Sequence, residues 1–281
     1  MANSRLSKTR RSYAEEIRVA APVRHNLAIL KAFASVPRER FLGPGPWLIR
    51  TDMKSYRTPD KNPNWLYHNV LISLDARKGI NNGSPALWAY LFDQLNLKPG
   101  ERVLQVGAGT GYYTAIIAAL VGRRGRVYAI EFDKRLAARA RANLTSWPQV
   151  KVVCGDASTF DAGEVDVVVA HAGGTHPMAL WLERLAPQGR LLMPLVTNDG
   201  GGFMLKAVRH RGGFEAKAVS HCGFILAKGF RTKREASDLK KVLTSLKGKL
   251  PALRGLHVGR IQRSERRQAF FIGRDFWLSK Q

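Results

Sequence analysis

The sequence predicts a doubly wound α/β fold, and three observations carry that prediction. Short apolar runs alternate with helical patterns over residues 102–194. The run 165–170 (Val-Asp-Val-Val-Val-Ala) is apolar enough to be a strand buried on both faces. A glycine-rich turn, Gly107-Ala108-Gly109-Thr110-Gly111, falls between the first strand and the first helix of the alternation.

Before the alternation, residues 13–34 have helical spacing. Ile17, Val19, Ala20, Val23, Leu27, Leu30 and Phe33 recur with a period near 3.6, and Pro37 ends the pattern. Residues 41–46 read as loop, and residues 58–72 are rich in Pro and Asn with Trp65 and Tyr67 interleaved. A helix then begins at Ser84-Pro85, with Pro at its first position, and runs to Leu97 before Pro99-Gly100. The alternation proper is strand 102–106, helix 113–120, strand 126–130, helix 134–144, strand 150–153, strand 165–170, helix 177–185 and strand 189–194. Beyond it, residues 203–208 and 214–219 form an antiparallel hairpin around Gly212-Gly213. Residues 231–250 are a basic helix, and residues 256–277 hold short strands. The expected organisation is a helical and loop substrate-side region (1–98), a core (99–230) and a basic carboxyl-terminal extension (231–281).

The charge is as uneven as the patterning. Lys and Arg number 46 against 21 Asp and Glu, a net charge of +25 on 281 residues. Residues 1–57 carry 12 basic against 4 acidic side chains and residues 206–281 carry 19 against 5, whereas residues 99–205 carry 11 against 9. A near-neutral centre therefore has basic extensions at both ends. Such flanks suit nucleic-acid phosphates, an acidic surface, or water alone. No stretch approaches the ~18 apolar residues of a membrane span. The first eleven residues lack the apolar segment of a secretory signal. Two cysteines, Cys154 and Cys222, are too few and too far apart for a disulfide framework or a zinc site, so a cytoplasmic protein without a metal is expected.

The G-x-G-x-G spacing of Gly107, Gly109 and Gly111 is tighter than the dinucleotide pattern and suits a nucleoside ligand without a phosphate, such as S-adenosyl-L-methionine. Glu131 closes the second strand, 20 residues beyond Gly111, where a carboxylate accepts from both ribose hydroxyls. Asp156, in Gly155-Asp156-Ala157 after the third strand, is placed to accept from an adenine amino group. The candidate cofactor residues are Gln105, Gly107, Ala108, Gly109, Gly111, Tyr112, Glu131, Asp156 and Ala157. Tyr112 and Tyr113 either cover the cofactor or pack inside.

In these blocks the chain resembles the class I S-adenosylmethionine-dependent methyltransferases, and is most similar to the protein-L-isoaspartate O-methyltransferase family. The resemblance covers roughly residues 30–230. It includes Val36-Pro37-Arg38, the 82–85 stretch ahead of a helix, Gly107 to Thr114, Glu131, Asp156 and Gly189 to Pro194. It implies a Rossmann-like methyltransferase sheet, S-adenosyl-L-methionine as cofactor, and carboxyl O-methylation of a protein or peptide acceptor. Two positions depart from the family. Gln105 stands where a Glu is usual, and Gly83 occupies the place of an active-site Ser, with Ser84 one step along. Candidate catalytic residues are therefore Ser84 and His171. His171 lies just past the 165–170 strand, as a base, an orienting group or a strand-end cap. Residues 170–175 (Ala-His-Ala-Gly-Gly-Thr) lack the Asn/Asp-Pro-Pro-aromatic signature of amine methylation on bases. Two alternatives accompany the carboxyl methyltransferase: an RNA methyltransferase gripping backbone through the basic flanks, and a cofactor-binding module without activity.

Overall fold

The computed structural model describes residues 2–51 and 54–281; Met1, Asp52 and Met53 lie outside them. The chain begins with α1 (Ala2–Ala20), α2 (Ala28–Ser35), β1 (Leu48–Arg50), β2 (Ser55–Arg57), β3 (Leu71–Asp75), β4 (Ile80–Asn81) and α3 (Pro85–Leu95). The alternating segment follows as β5 (Arg102–Val106), α4 (Tyr112–Val121), β6 (Arg126–Glu131), α5 (Lys134–Asn143), β7 (Val150–Cys154), β8 (Val165–Ala170), α6 (Ala179–Glu183) and β9 (Leu185–Val196). The chain closes with β10 (Gly201–His210), β11 (Gly213–Gly223), α7 (Lys233–Ser245), β12 (Leu253–Val258), β13 (Ala269–Ile272) and β14 (Phe276–Lys280). They form two compact units, one of residues 1–101, 108–129 and 133–153, the other of residues 102–107, 130–132 and 154–281.

The first unit holds α1 to α5 and a four-stranded sheet in the order β2-β1-β3-β4. Where the apolar spacing predicts one helix over 13–34, there are two. α1 starts eleven residues earlier, in a polar stretch with no apolar face to reveal it, and stops before Pro22, which has no N–H to continue the ladder. The break is satisfied from outside: the backbone N–H groups of Arg24, His25 and Asn26 donate to the buried Asp93 carboxylate of α3 at 3.1, 2.8 and 2.8 Å. Arg38 is fully buried and donates to the carbonyls of Leu66, His68 and Val70, with its guanidinium 5.6 Å from the Tyr13 ring centre and 5.8 Å from that of Tyr112. The polar 58–72 loop is thus anchored by a cation that contributes no surface charge.

In the second unit the strands run β13-β14-β12-β11-β10-β9-β8-β5, and the carboxyl ends of β6 and β7 continue that order. β8 is parallel to both β5 and β9. β9 to β14 are joined antiparallel. The 165–170 strand is as expected, with Val167 to Ala170 fully buried. α6 is shorter than the predicted helix because Leu185 already pairs with Val165 in the sheet. β9 is correspondingly longer, and Gln188 takes a left-handed conformation (φ 63°) where the register shifts.

The basic extension is folded rather than loose. β12 adds to the hairpin by pairing Phe214 with Leu256 and Glu215 with Gly255, and β14 lies between β12 and β13. Leu253, Leu256, Phe271, Phe276, Trp277 and Leu278 are buried, so the aromatics of this stretch are core residues. α7 starts with Thr232 as N-cap: its Oγ1 accepts from Glu235 N–H at 3.2 Å, and its own N–H donates to Thr175 Oγ1 at 3.0 Å. Among the described residues no helix is long and apolar enough to cross a membrane, and no group of three His, Cys, Asp or Glu is placed to hold a metal.

Candidate active site

Four strand ends of the second unit are stitched together by backbone hydrogen bonds. Gly107 N–H donates to Ile130 O at 2.8 Å, joining the ends of β5 and β6. Gly155 N–H donates to Glu131 O at 3.0 Å, joining β6 to β7, and His171 N–H donates to Val106 O at 2.7 Å, joining β8 to β5. Gly107, Glu131, the 155–157 turn and His171 therefore come to one edge of the sheet, at carboxyl ends of strands. The chain order leaves β5 in two directions here, towards β6 and towards β8, which makes this the topological switch point where such sheets bind ligands.

Each element has a local reason. Val103, Leu104 and Val106 are buried on β5, and Gln105 between them is fully buried too. Glu131 is only 8% exposed, so its carboxylate is a strong acceptor largely withdrawn from water. Asp156 accepts from Ser158 N–H at 2.8 Å in an Asx turn, and the Trp181 indole N–H donates to Ala157 O at 2.9 Å, pinning the turn after β7.

In the first unit the glycine loop continues directly along the chain from Gly107 through Ala108, Gly109 and Thr110. Gly111 sits at φ 95° as the N-cap of α4, and a Cβ there would lie 2.7 Å from Leu144. The Asn143 side chain donates to Thr110 O at 2.9 Å and holds the loop from α5. Tyr112 and Tyr113 both pack inside: Tyr112 is 2% exposed against Phe33 and Phe41, and Tyr113 donates to Gly83 O at 3.1 Å.

The two candidate catalytic residues have different environments. Ser84 is the N-cap of α3. Its Oγ accepts from Leu87 N–H at 3.4 Å and donates to Asn69 Oδ1 at 3.3 Å. Gly83 beside it takes φ 76°, and a Cβ there would come within 2.9 Å of the Trp88 indole nitrogen. Glycine at this departure from the family is therefore demanded by local packing. In the second unit, burial pushes the His171 imidazole down to about 3, so it is neutral at physiological pH. A neutral ring of that basicity orients an oxygen better than it removes a proton.

Sequence patterns alone did not reveal a second cluster in this unit. The Glu235 carboxylate accepts from Thr175 Oγ1 at 2.7 Å, His176 Nδ1 at 2.7 Å and Thr232 Oγ1 at 2.9 Å, and also from Arg274 N–H at 3.1 Å. Burial acts to raise its pKa, but the hydrogen bonds from His176 and Thr175 outweigh burial and hold the carboxyl down at about 2. Thr175 and His176 thus lock the start of α7 in place. The Thr232-x-x-Glu235 spacing is the sequence pattern that marks Glu235.

A parallel switch point with a carboxylate closing the neighbouring strand is the arrangement of the doubly wound α/β class. The chain belongs to the protein-L-isoaspartate(D-aspartate) O-methyltransferase family, whose family model matches residues 16–231. It is similar to the protein-L-isoaspartate O-methyltransferase of Thermotoga maritima, 30% identical over 173 residues, an alignment covering 59% of this chain and 50% of that protein. The chain thus matches about half the length of that relative. Among solved structures, a protein-L-isoaspartate O-methyltransferase shares the fold at TM-score 0.65 and 19% identity, over 96% of this chain and 88% of that one. A Plasmodium falciparum protein described as a protein-L-isoaspartate O-methyltransferase, in complex with S-adenosyl-L-homocysteine, shares it at TM-score 0.62 and 17% identity. That likeness covers 78% of this chain and 98% of the other. The family and the α/β fold agree with the sequence expectation.

Proposed function

We propose that this protein is an S-adenosyl-L-methionine-dependent carboxyl O-methyltransferase acting on L-isoaspartyl residues of proteins or peptides. Family membership over residues 16–231 supports the reaction, and the strand-end arrangement of Gly107, Glu131 and Asp156 supports the cofactor. The residues fit that group. A buried carboxylate at the end of β6 suits two ribose hydroxyls, Asp156 suits an adenine amino group, and the glycine loop admits a ligand close to backbone. Bound there, S-adenosyl-L-methionine would supply an electrophilic methyl group to an acceptor carboxylate oxygen, with its sulfur leaving as the neutral thioether.

A carboxylate nucleophile is ionised at neutral pH and needs no base, so the protein's contribution is positioning and exclusion of water. This fits a neutral His171, whose part is to orient the acceptor through a hydrogen bond. Gln105 supplies an amide where a carboxylate is usual, and so orients without adding charge beside the sulfonium. Ser84 acts by capping α3, which fixes the end of the 81–84 segment.

The observation that carries the cofactor assignment is the buried Glu131 at the end of β6. Its test is calorimetric titration with S-adenosyl-L-methionine. Glu131→Ala is expected to weaken binding by about 1–3 kcal/mol, since a charged acceptor for two hydroxyls is lost. Unchanged affinity contradicts the assignment.

A further inference from the structure

The carboxyl-terminal extension carries a concave feature that the proposed methyl transfer does not use. Residues 232–281 lie beyond the family match and hold 13 Lys and Arg against 4 Asp and Glu. β11, β12 and β14 present a cleft of about 720 Å³, lined among others by Phe214, Arg254, His257, Arg267 and Lys280.

Elsewhere in the extension some cations are paired, while others such as Lys247, Lys249 and Arg260 stand in solvent like those of the cleft. Lys240 meets Asp199 at 3.1 Å, Lys241 meets Asp238 at 2.9 Å and Arg274 meets Asp275 at 3.7 Å. In the cleft they are not: among the described residues Arg254, Arg267 and Lys280 make no side-chain hydrogen bond or ion pair. The one side-chain carboxylate lining it, Glu215, is occupied by Lys217 at 2.7 Å and faces His210 at 3.6 Å. Arg254, Arg267 and Lys280 around one concavity attract anions, against Gln281, which also lines it, and Glu265, whose charge reaches His257.

The cleft also has an aromatic shelf. His257 stands directly opposite Trp277 across β12 and β14, and the two rings are stacked with centroids 3.8 Å apart and planes 9° from parallel. Trp277 is buried and covers one face of the imidazole, while His257 itself is exposed and lines the cleft. Ser279 Oγ, 3.1 Å from His257 Nε2, fixes the ring's orientation. Burial lowers the pKa of this ring, favouring a neutral, planar platform. A flat π-surface ringed by guanidinium and ammonium groups matches a chain with a phosphate at each unit and a planar base between them. A polyglutamate chain has the charge but no ring to place on the shelf.

We propose that this cleft binds single-stranded nucleic acid, with phosphates on Arg254, Arg267 and Lys280 and a base stacked on His257. The binding site lies outside the residues assigned to methyl transfer and does not depend on that assignment. The test uses the full-length protein without cofactor and a fluorescein-labelled 12-nucleotide oligo(U), read by anisotropy over a potassium chloride series. Arg254→Gln with Arg267→Gln is expected to weaken binding at least tenfold and to reduce the salt slope by about 1.4, two phosphate contacts for a single strand. His257→Ala is expected to weaken binding several-fold with the slope unchanged. Lys98→Gln with Lys151→Gln, an equal charge change on other exposed lysines, leaves affinity within twofold.

Methylation of an isoaspartyl peptide, measured on the same samples, separates the two proposals: the cleft variants keep it if they bind RNA poorly but remain folded. The proposal is overturned by wild-type affinity in both cleft variants. It is equally overturned if polyglutamate of the same charge competes as well as oligo(U), which assigns the cleft to acidic polypeptide, or if a 12-base-pair duplex binds more tightly than the single strand.

Discussion

The centre of the chain and its carboxyl-terminal extension solve opposite problems with charge. Residues 99–205 carry 11 basic and 9 acidic side chains, and one of the two carboxylates proposed to meet the cofactor there, Glu131, is withdrawn from water at the end of β6. Residues 232–281 carry 13 basic and 4 acidic side chains, and their one buried carboxylate, Glu235, faces inward as a structural lock. The cations stay outside. Net charge of +25 is therefore no guide to the chemistry of the switch point, which backbone geometry and a few buried polar groups define. Part of it describes a second surface, where β12 and β14, which the family match does not reach, extend the sheet from β11.

Glu235→Ala removes an acceptor shared by Thr175, His176, Thr232 and the Arg274 N–H, and is expected to cost about 3 kcal/mol. Urea unfolding measures the loss, and limited proteolysis locates it to residues 232–281. Affinity for S-adenosyl-L-methionine should stay within about twofold. A parallel collapse of cofactor binding contradicts the separation of the two regions.

The same carboxylate makes a pH prediction. Its folded pKa, about 2, lies below the ordinary glutamate value of 4.5, so its contribution is complete above 4.5 and is lost as pH falls towards 2. A shift of that size corresponds to about 3 kcal/mol. The acid limb of the stability curve should flatten in Glu235→Ala, and an unaltered limb shows that other groups carry it.

Next in size is Glu131→Ala, at about 1–3 kcal/mol of cofactor affinity, with no increase in protease cutting across 232–281. Ser84→Ala is smaller. Loss of an N-cap costs about 1 kcal/mol of stability, and a helix cap predicts a lowered melting temperature with turnover per folded molecule within about threefold. A loss of turnover beyond a hundredfold makes Ser84 a catalytic residue instead. The smallest effect is at His171, whose pKa near 3 leaves it neutral throughout pH 6–8. The rate should show no titration near 6.5 that disappears in His171→Gln; such a titration contradicts the orienting role.

The strand-end site was legible in the sequence because its parts are local. The 102–106 and 165–170 strands are apolar runs at their observed bounds, and Gly111 and Glu131 stand at fixed offsets from strands that identify themselves. What was hidden depends on partners far along the chain. Asp93 caps the 21–27 break across nearly seventy residues, and nothing near Pro22 announces it. Tyr112, next to the loop glycines, turns inward because Phe33 and Phe41 supply its pocket. The lock on Glu235 joins residues sixty positions apart, and the pairing of His257 with Trp277 exists only once β12 and β14 are aligned.

Carboxyl methylation of isoaspartyl residues predicts a base-labile methyl ester on the isomerised residue alone. The full-length protein is incubated with methyl-labelled S-adenosyl-L-methionine and an isoaspartyl peptide, with the aspartyl isomer in parallel, and each product is treated with base. Volatile labelled methanol released from the isoaspartyl peptide alone is the predicted result. Label that resists base, or equal labelling of both isomers, contradicts the account.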